Sequence, residues 1–263
     1  DPHGGRPSFR VDGVRLSTDS IKAVLASGYA WSIGSCALDQ RSGTFELYSA
    51  LVGPITEMEE YSKGLKYETD VIEARIDTLL LAGLDINAAL ADGVMSLRKA
   101  TILKGDATVL RDKTLQDGPS VEQALLAKLI RKLPVGSRCD TVSVSHLDVR
   151  YRERSDYARG FALIPFGQIR ATITGVQNVV EDTTAFMIQA RCTAFDDTPV
   201  AMVLRSVVQD TMDRFVLDAS IGKLSFLALN KVTGPLMDVR STSGRIDTVM
   251  LHMDADKQRA KGR

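Results

Sequence analysis

Apolar and polar positions change period along this chain, and the changes divide it into blocks. Phe9, Val11, Val14 and Leu16 alternate around Asp12-Gly13, a pair suited to the positive φ angles of a tight hairpin turn. Ser17, Thr18 and Asp19 then offer acceptors for a helix start, Ile21, Val24 and Leu25 mark one face, and Gly28 supplies a left-handed stop. A short helix is expected there. Residues 29–38 and 44–51 flank the turn-forming segment 39–43, which predicts a second hairpin.

From Pro54 the spacing lengthens. Met58, Leu65, Ile72, Leu79 and Ile86 recur every seven residues, but the companion positions Ser62, Thr69 and Gly83 break any coiled-coil seam. The expectation is an amphipathic helix interrupted near Gly64 and Gly83. A second helix capped from Asp85 runs through 95–103, and a third over 121–133 starts from the capping box Ser120-x-x-Gln123.

Pro134 to Ser137 ends this block, and the remainder reads as strand. Val142 and Val144 carry one parity, Leu147, Val149 and Tyr151 the other, so a bulge between Ser145 and His146 would keep both sets on one face. Ile169, Ala171 and Ile173 alternate with polar neighbours, as do Phe186, Ile188, Ala190, Cys192 and Ala194. Further strands are expected at 161–164, 200–204, 224–229, 236–239 and 249–253. The predicted class is therefore α+β: N-terminal hairpins and amphipathic helices over 1–134, then a mostly antiparallel β-sandwich or barrel over 135–263 into which the early hairpins can be recruited.

Composition changes this picture little. The chain has 263 residues, 33 basic against 33 acidic side chains and 44% apolar residues, which excludes a disordered or uniformly basic protein. Charge is segregated, with residues 54–92 acidic and 98–138 basic, a pattern that suits head-to-tail association or neutralisation between packed elements. Cys36, Cys139 and Cys192 are widely spaced, odd in number and without zinc-type companions, so free thiols in a reducing interior or a virion are expected. No run is apolar enough for a membrane-spanning helix, and residues 1–10 hold no export-signal core.

Phosphate-loop, dinucleotide, nucleophile-elbow, zinc-protease and calcium-loop motifs are all missing. Of three histidines, His3 sits near the N-terminus, His146 stands on a strand beside Ser145 and Asp148, and His252 points away from an apolar face. Asp196-Asp197-Thr198-Pro199 reads as a turn before it reads as a cation site, and Asp210 and Asp213 have the same reading. The basic residues are more suggestive. Arg150, Arg152 and Arg154 fall on one side of a strand, with Arg159 and Arg170 as candidate neighbours, and Lys257, Arg259, Lys261 and Arg263 form a C-terminal basic tail. Guanidinium groups in a row suit phosphate oxygens of nucleic acid or anionic lipid.

The segment Val144-Ser145-His146-Leu147-Asp148-Val149-Arg150-Tyr151-Arg152, followed by Gly160-Phe161-Ala162-Leu163-Ile164-Pro165, resembles paired strands of viral jelly-roll coat proteins and plant-virus movement proteins. The resemblance implies a sandwich fold and a structural role, and carries no functional residue over. The leading expectation is a non-enzymatic structural or assembly protein, a coat, matrix or movement protein, needing no cofactor. It self-associates and touches nucleic acid or an anionic membrane surface through the arginine row and the tail. The alternatives are an enzyme using Asp148 with Glu153 or Asp196 with Asp197, and a soluble adaptor that adds a partner peptide to a sheet edge.

Overall fold

The computed structural model describes residues 13–118, 125–156, 160–179 and 185–263. Fourteen of its strands form one sheet. In chain order the elements begin with β1 (Arg15–Thr18), β2 (Ile21–Val24), β3 (Tyr29–Ile33), β4 (Ser35–Asp39) and β5 (Thr44–Pro54). Helix α1 (Met58–Lys63), β6 (Asp70–Ala82), α2 (Ile86–Asp92), β7 (Val94–Asp112) and α3 (Leu126–Arg131) follow. Next come β8 (Gly136–Arg154), β9 (Ala162–Gln177), β10 (Ala185–Ala194), β11 (Thr198–Val207) and β12 (Phe215–Ile221). The chain continues through β13 (Leu224–Ser225), α4 (Phe226–Met237), β14 (Arg245–Ile246), β15 (Val249–Ala255) and β16 (Ala260–Gly262).

The main path runs β1-β4-β5-β6-β7-β8-β9-β10-β11-β12-β15-β16, with β3 pairing both β5 and β2, while β13 and β14 form a separate pair. All described pairings are antiparallel except β7 with β8, which lie parallel across the boundary at residue 134. Among the described residues no pairing joins the first strand to the last, so the sheet is open and the expected closed barrel is not formed; nor does a second large sheet stack on it. The class is α+β with strands dominant.

Several predicted helices are strands. Of the seven-residue recurrence that suggested a helix, Met58 opens α1 and Ile86 opens α2, while Ile72 and Leu79 lie in β6, where Ile72, Ala74 and Ile76 alternate and the ladder then slips a register position before Leu79 and Leu81 resume. A period of two interrupted by one extra residue places Ile72, Ile76 and Leu79 at helix-like intervals. Residues 95–103 likewise lie in β7, and the expected helix after Asp19 is the β1–β2 turn and β2. Gly28 does take the left-handed conformation expected of it, φ +80°, but in the β2–β3 hairpin, where a Cβ would meet the Tyr61 ring. Asp85 caps a helix as expected by accepting from the Ala88 N–H at 2.9 Å, although that helix is α2, ending at Gly93. Residues 224–229 and 236–239 belong largely to α4, which Ser225 caps at the Leu227 N–H. The C-terminal basic segment is the β15–β16 hairpin rather than a loose tail. The hairpin turn at Asp12, the Ser120 capping box and Arg159 lie outside the described residues.

The expected slip in β8 is present, between Val144 and Leu147, and it is not isolated. Ser49 in β5 has φ +58°, β6 shifts around Asp77, β7 skips Leu103, and Gln168 in β9 has φ +54°. Aligned across five neighbouring strands, these irregularities make a crease. Gly105 sits on it with its Cα so near the β6 backbone that a Cβ would stand 2.7 Å from the Arg75 carbonyl oxygen.

Burial is sparse. Only thirteen apolar side chains are buried among the described residues, and the accessible area of 16508 Å² exceeds the about 11,000 Å² expected for a compact monomer of this length. Three small clusters hold the helices: Met58 of α1 with Val71 and Leu110, Ile130 of α3 with Phe186 and Val208, and α4 against Ala194, Phe195 and Leu224. Leu110→Ala should therefore cost about 2–4 kcal/mol in urea unfolding, because Leu110 is fully enclosed. Leu16→Ala, on a 60%-exposed side chain, should change stability by less than about 0.5 kcal/mol. Equal losses at both sites would mean that the small clusters are not where stability resides.

Candidate functional site

Side chains directly opposite each other on paired strands stand on the same face, so the registers trace rows across the sheet. One row runs Leu16, Leu38, Phe45, Leu81, Ala100 and Val142 from β1 to β8. It continues without a break as Ile173, Ile188, Leu204, Leu217 and Met253 to β15. The next row on that face includes Leu47, Leu79, Ile102, Val144, Ala171, Ala190, Met202, Ala219 and Leu251. Beyond the crease Trp31, Val52, Ala74, Ala107, Val149, Phe166 and Ala194 carry the same face onward. The row between the first two is mostly polar, with Glu46, Thr101, Ser143, Thr172, Gln189, Asp218 and His252 on the opposite face. Ten inter-strand steps make an apolar track about 48 Å long.

Two helices stand on this track near opposite ends of the same strands. Ile130 of α3 packs toward Ile173, Ile188 and Leu204, and α4 packs toward Ile164, Phe166 and Val200. Between these contacts lie Ala171, Ala190, Met202 and Ala219, a floor of mainly short side chains about 13–20 Å wide along the strands. The arrangement is a trough with helical walls, an alanine-rich floor and apolar strand surface extending beyond it. Arg131 anchors the α3 wall: its guanidinium donates to the Val208 and Asp210 carbonyl oxygens and pairs at 2.5 Å with the buried Asp213.

The predicted basic row divides. Arg150, Arg152 and Arg154 share a strand face as expected, but two are engaged. Arg152 pairs with Glu59 of α1 at 2.5 Å, Arg154 pairs with the buried Asp112, and both guanidiniums lie over the Phe161 ring, 4.7 and 5.3 Å from its centroid. Desolvation opposes ionisation of Asp112, but hydrogen bonds from Arg154 and Thr114 outweigh it and hold the carboxyl below its usual range. Arg150 is exposed. In the C-terminal hairpin, Lys257 donates to the Thr211 carbonyl oxygen, Arg259 approaches Asp256 at 3.6 Å, Lys261 lies opposite Asp254, and the Arg263 backbone pairs with His252. The row and the hairpin are not brought together into one patch.

Of the two carboxylate pairs, the structure does not bring the first together. Asp148 and Glu153 differ by an odd number along one regular stretch of β8 and face opposite sides; Asp148 accepts from the Gln168 N–H, and Glu153 from Tyr151 and Lys113. That contact and burial push the Tyr151 phenol up to about 12. Asp196-Asp197 form the β10–β11 turn, with Asp196 at φ +77° and held by Lys231 at 2.8 Å. Among the described residues no cluster of His, Cys, Asp and Glu could hold a metal ion. The three cysteines are free; burial pushes the thiols of Cys139 and Cys192 up. Part of the segregated charge is neutralised between neighbours: Arg111 of β7 meets Glu68 and Asp70, and Lys104 faces Asp77. No helix of the described residues is long and apolar enough to cross a membrane. No family model matches the chain, and no curated protein matches it.

The apolar trough was missed in the sequence because its rows run across strands. Each strand shows only its own alternation, and only the registers reveal that the apolar positions are level.

On the polar face His252 bridges Asp218 at 2.7 Å and Asp254 at 3.3 Å, with Arg205 also on Asp218. The Asp218 hydrogen bond raises the imidazole above its ordinary value, and the same contact lowers Asp218. A raised histidine stabilises the fold below its unfolded value, near 6.5, and that contribution disappears as pH rises through the folded value. His252→Asn should therefore be less stable than the native chain at pH 5.5, with the gap closing toward pH 9 in denaturant titrations. A gap constant across that range would show that the imidazolium is not paired.

Proposed function

We propose that this is a non-enzymatic binding protein whose one-sided sheet shelters the acyl chains of lipids. The observation that carries this reading is the apolar face itself: its row from Leu16 to Met253 is unbroken, α3 stands on Ile173, Ile188 and Leu204 of that row, α4 stands on Phe166 and Val200, and the floor of Ala171, Ala190, Met202 and Ala219 lies between the two helices. A long, narrow apolar surface suits a flexible linear apolar chain. A helix is about 10 Å across, so α3 and α4 stand in the way of a flat second sheet, which would have to approach to about 10 Å to pack. Short residues on the floor leave depth for methylene groups, each contributing about 0.8 kcal/mol when buried.

Mass spectrometry of an organic extract of the purified protein should find fatty acid or phospholipid in stoichiometric amount. Ala190→Trp with Ala219→Trp should fill the floor, keep the strand signature in circular dichroism, and lower uptake of a fluorescent fatty acid at least tenfold, a loss of about 1.4 kcal/mol. A lipid-free extract together with no uptake by the native chain would sink the proposal.

A second reading, self-association, is favoured by the edges. β2 exposes Ile21 and Val24, β15 exposes Val249, Met250 and Leu251, and the apolar rows reach both sides of the sheet. An edge that is neither short of apolar groups nor blocked by proline is a template for a further strand. Edge-to-edge addition would lengthen the track without bringing a second sheet onto α3 and α4. Light scattering behind size exclusion should show oligomers that Met250→Lys converts to monomers; a native monomer at all concentrations would remove this reading. Contact with nucleic acid through the arginine row has less support, since Arg152 and Arg154 are committed to Glu59 and Asp112.

A further inference from the structure

We propose that Arg170 and Arg191 form a binding site for a phosphate-bearing anion on the polar face, independent of the apolar trough. The two residues are direct cross-strand partners in β9 and β10, both exposed. Like charges placed opposite each other destabilise a sheet. Other exposed strand arginines are relieved by a carboxylate, as Arg205 is by Asp218 and Arg15 by Asp39. Among the described residues neither Arg170 nor Arg191 has such a partner.

Both line an open hollow of about 1250 Å³ on the sheet. Its walls are two rows of polar-face side chains, one containing Thr172 and Gln189, the other Arg170, Arg191 and Ser220, and Arg263, the residue after β16, adds a third guanidinium. The hollow is thus rich in hydrogen-bond donors. Its carboxylate, Asp218, is already held between Arg205 and His252. An anion with several oxygens accepts from two planar guanidinium forks at once and cancels their repulsion. The hollow is much larger than a bare phosphate, so an organic phosphate fits, either a soluble phosphate ester or a lipid headgroup presented at a surface.

The test is calorimetry and thermal unfolding of the native chain, Arg170→Gln/Arg191→Gln, and Arg150→Gln as a control for an exposed arginine elsewhere. Pyrophosphate should bind the native chain and the control, raise their Tm, and bind the double variant at least tenfold more weakly. Binding should also weaken with added salt. Without ligand the double variant should be at least as stable as the native chain, because the cross-strand repulsion is gone. Co-sedimentation with phosphatidylglycerol vesicles, compared with phosphatidylcholine, separates the sources: dependence on the two arginines there assigns a headgroup, and free pyrophosphate binding alone assigns a soluble ester. The proposal is overturned if pyrophosphate leaves the native chain unchanged, if it binds the double variant equally, or if only a single-stranded oligonucleotide distinguishes the two proteins. The acyl-chain variants on the opposite face should leave pyrophosphate binding intact, so the two proposals fail separately.

Discussion

The strict alternation of side chains across an unclosed sheet is the constraint on which everything else rests. A sheet that neither closes nor stacks has two faces, and strands of up to nineteen residues give many chances for apolar positions to fall out of phase. The crease prevents this. In β8, Val142 and Val144 would oppose Leu147 and Val149 if the ladder were regular; the slip between Val144 and Leu147 returns both pairs to one face. Neighbouring strands absorb an extra residue at the same level, through Ser49, Asp77 and Gln168, so the correction is shared. Apolar and polar surfaces therefore remain separate from one edge to the other.

Because the sheet buries so little, the helices matter more than their length suggests. Helices α1, α3 and α4 are tied down by small clusters, and α1 and α3 also by an ion pair, Glu59 with Arg152 and Arg131 with Asp213. Arg154 with Asp112, and Arg131 with Asp213, place a carboxylate that is almost fully enclosed against a partly exposed guanidinium. Such pairs add little net stability, since desolvation offsets attraction, yet removing one partner strands a charge. Arg131 with Asp213 specifies where α3 sits, and Arg154 with Asp112 joins the ends of β8 and β7. For α3 this position matters to function, because Arg131 also holds the two carbonyl oxygens that fix the end of β11 against the trough wall.

The second half of the fold was more legible than the first for a physical reason. β9 and β10 alternate cleanly over most of their length, so Ile169 to Ile173 and Phe186 to Ala194 read directly as strands. β6 and β7 carry the crease in mid-strand, and there the slipped alternation of Ile72, Ile76 and Leu79 imitates a helical stripe. α4 was hidden by the opposite accident: Leu224 to Leu229 is apolar enough to resemble a buried strand, and only the Ser225 cap marks the start of the helix. Arg150, Arg152 and Arg154 do share a face, but their partners Glu59 and Asp112 are distant in sequence, so pairing could not be read from the row itself. The trough is a property of registers, which no single strand encodes.

Face separation also decides how charge can be used. With equal numbers of acidic and basic side chains, the protein has no net field to draw a partner from a distance. Local imbalance is what remains, and cross-strand pairs remove part of it, as between β6 and β7 and around Asp218. The arginines of β9 and β10, set directly opposite each other, are not relieved in this way. On the other face the uncovered apolar rows have a free-energy cost that any occupant relieves. An acyl chain lies along these rows, and a copy added edge to edge lengthens them. Ligand occupancy and assembly are thus coupled through one apolar face, each favouring the other.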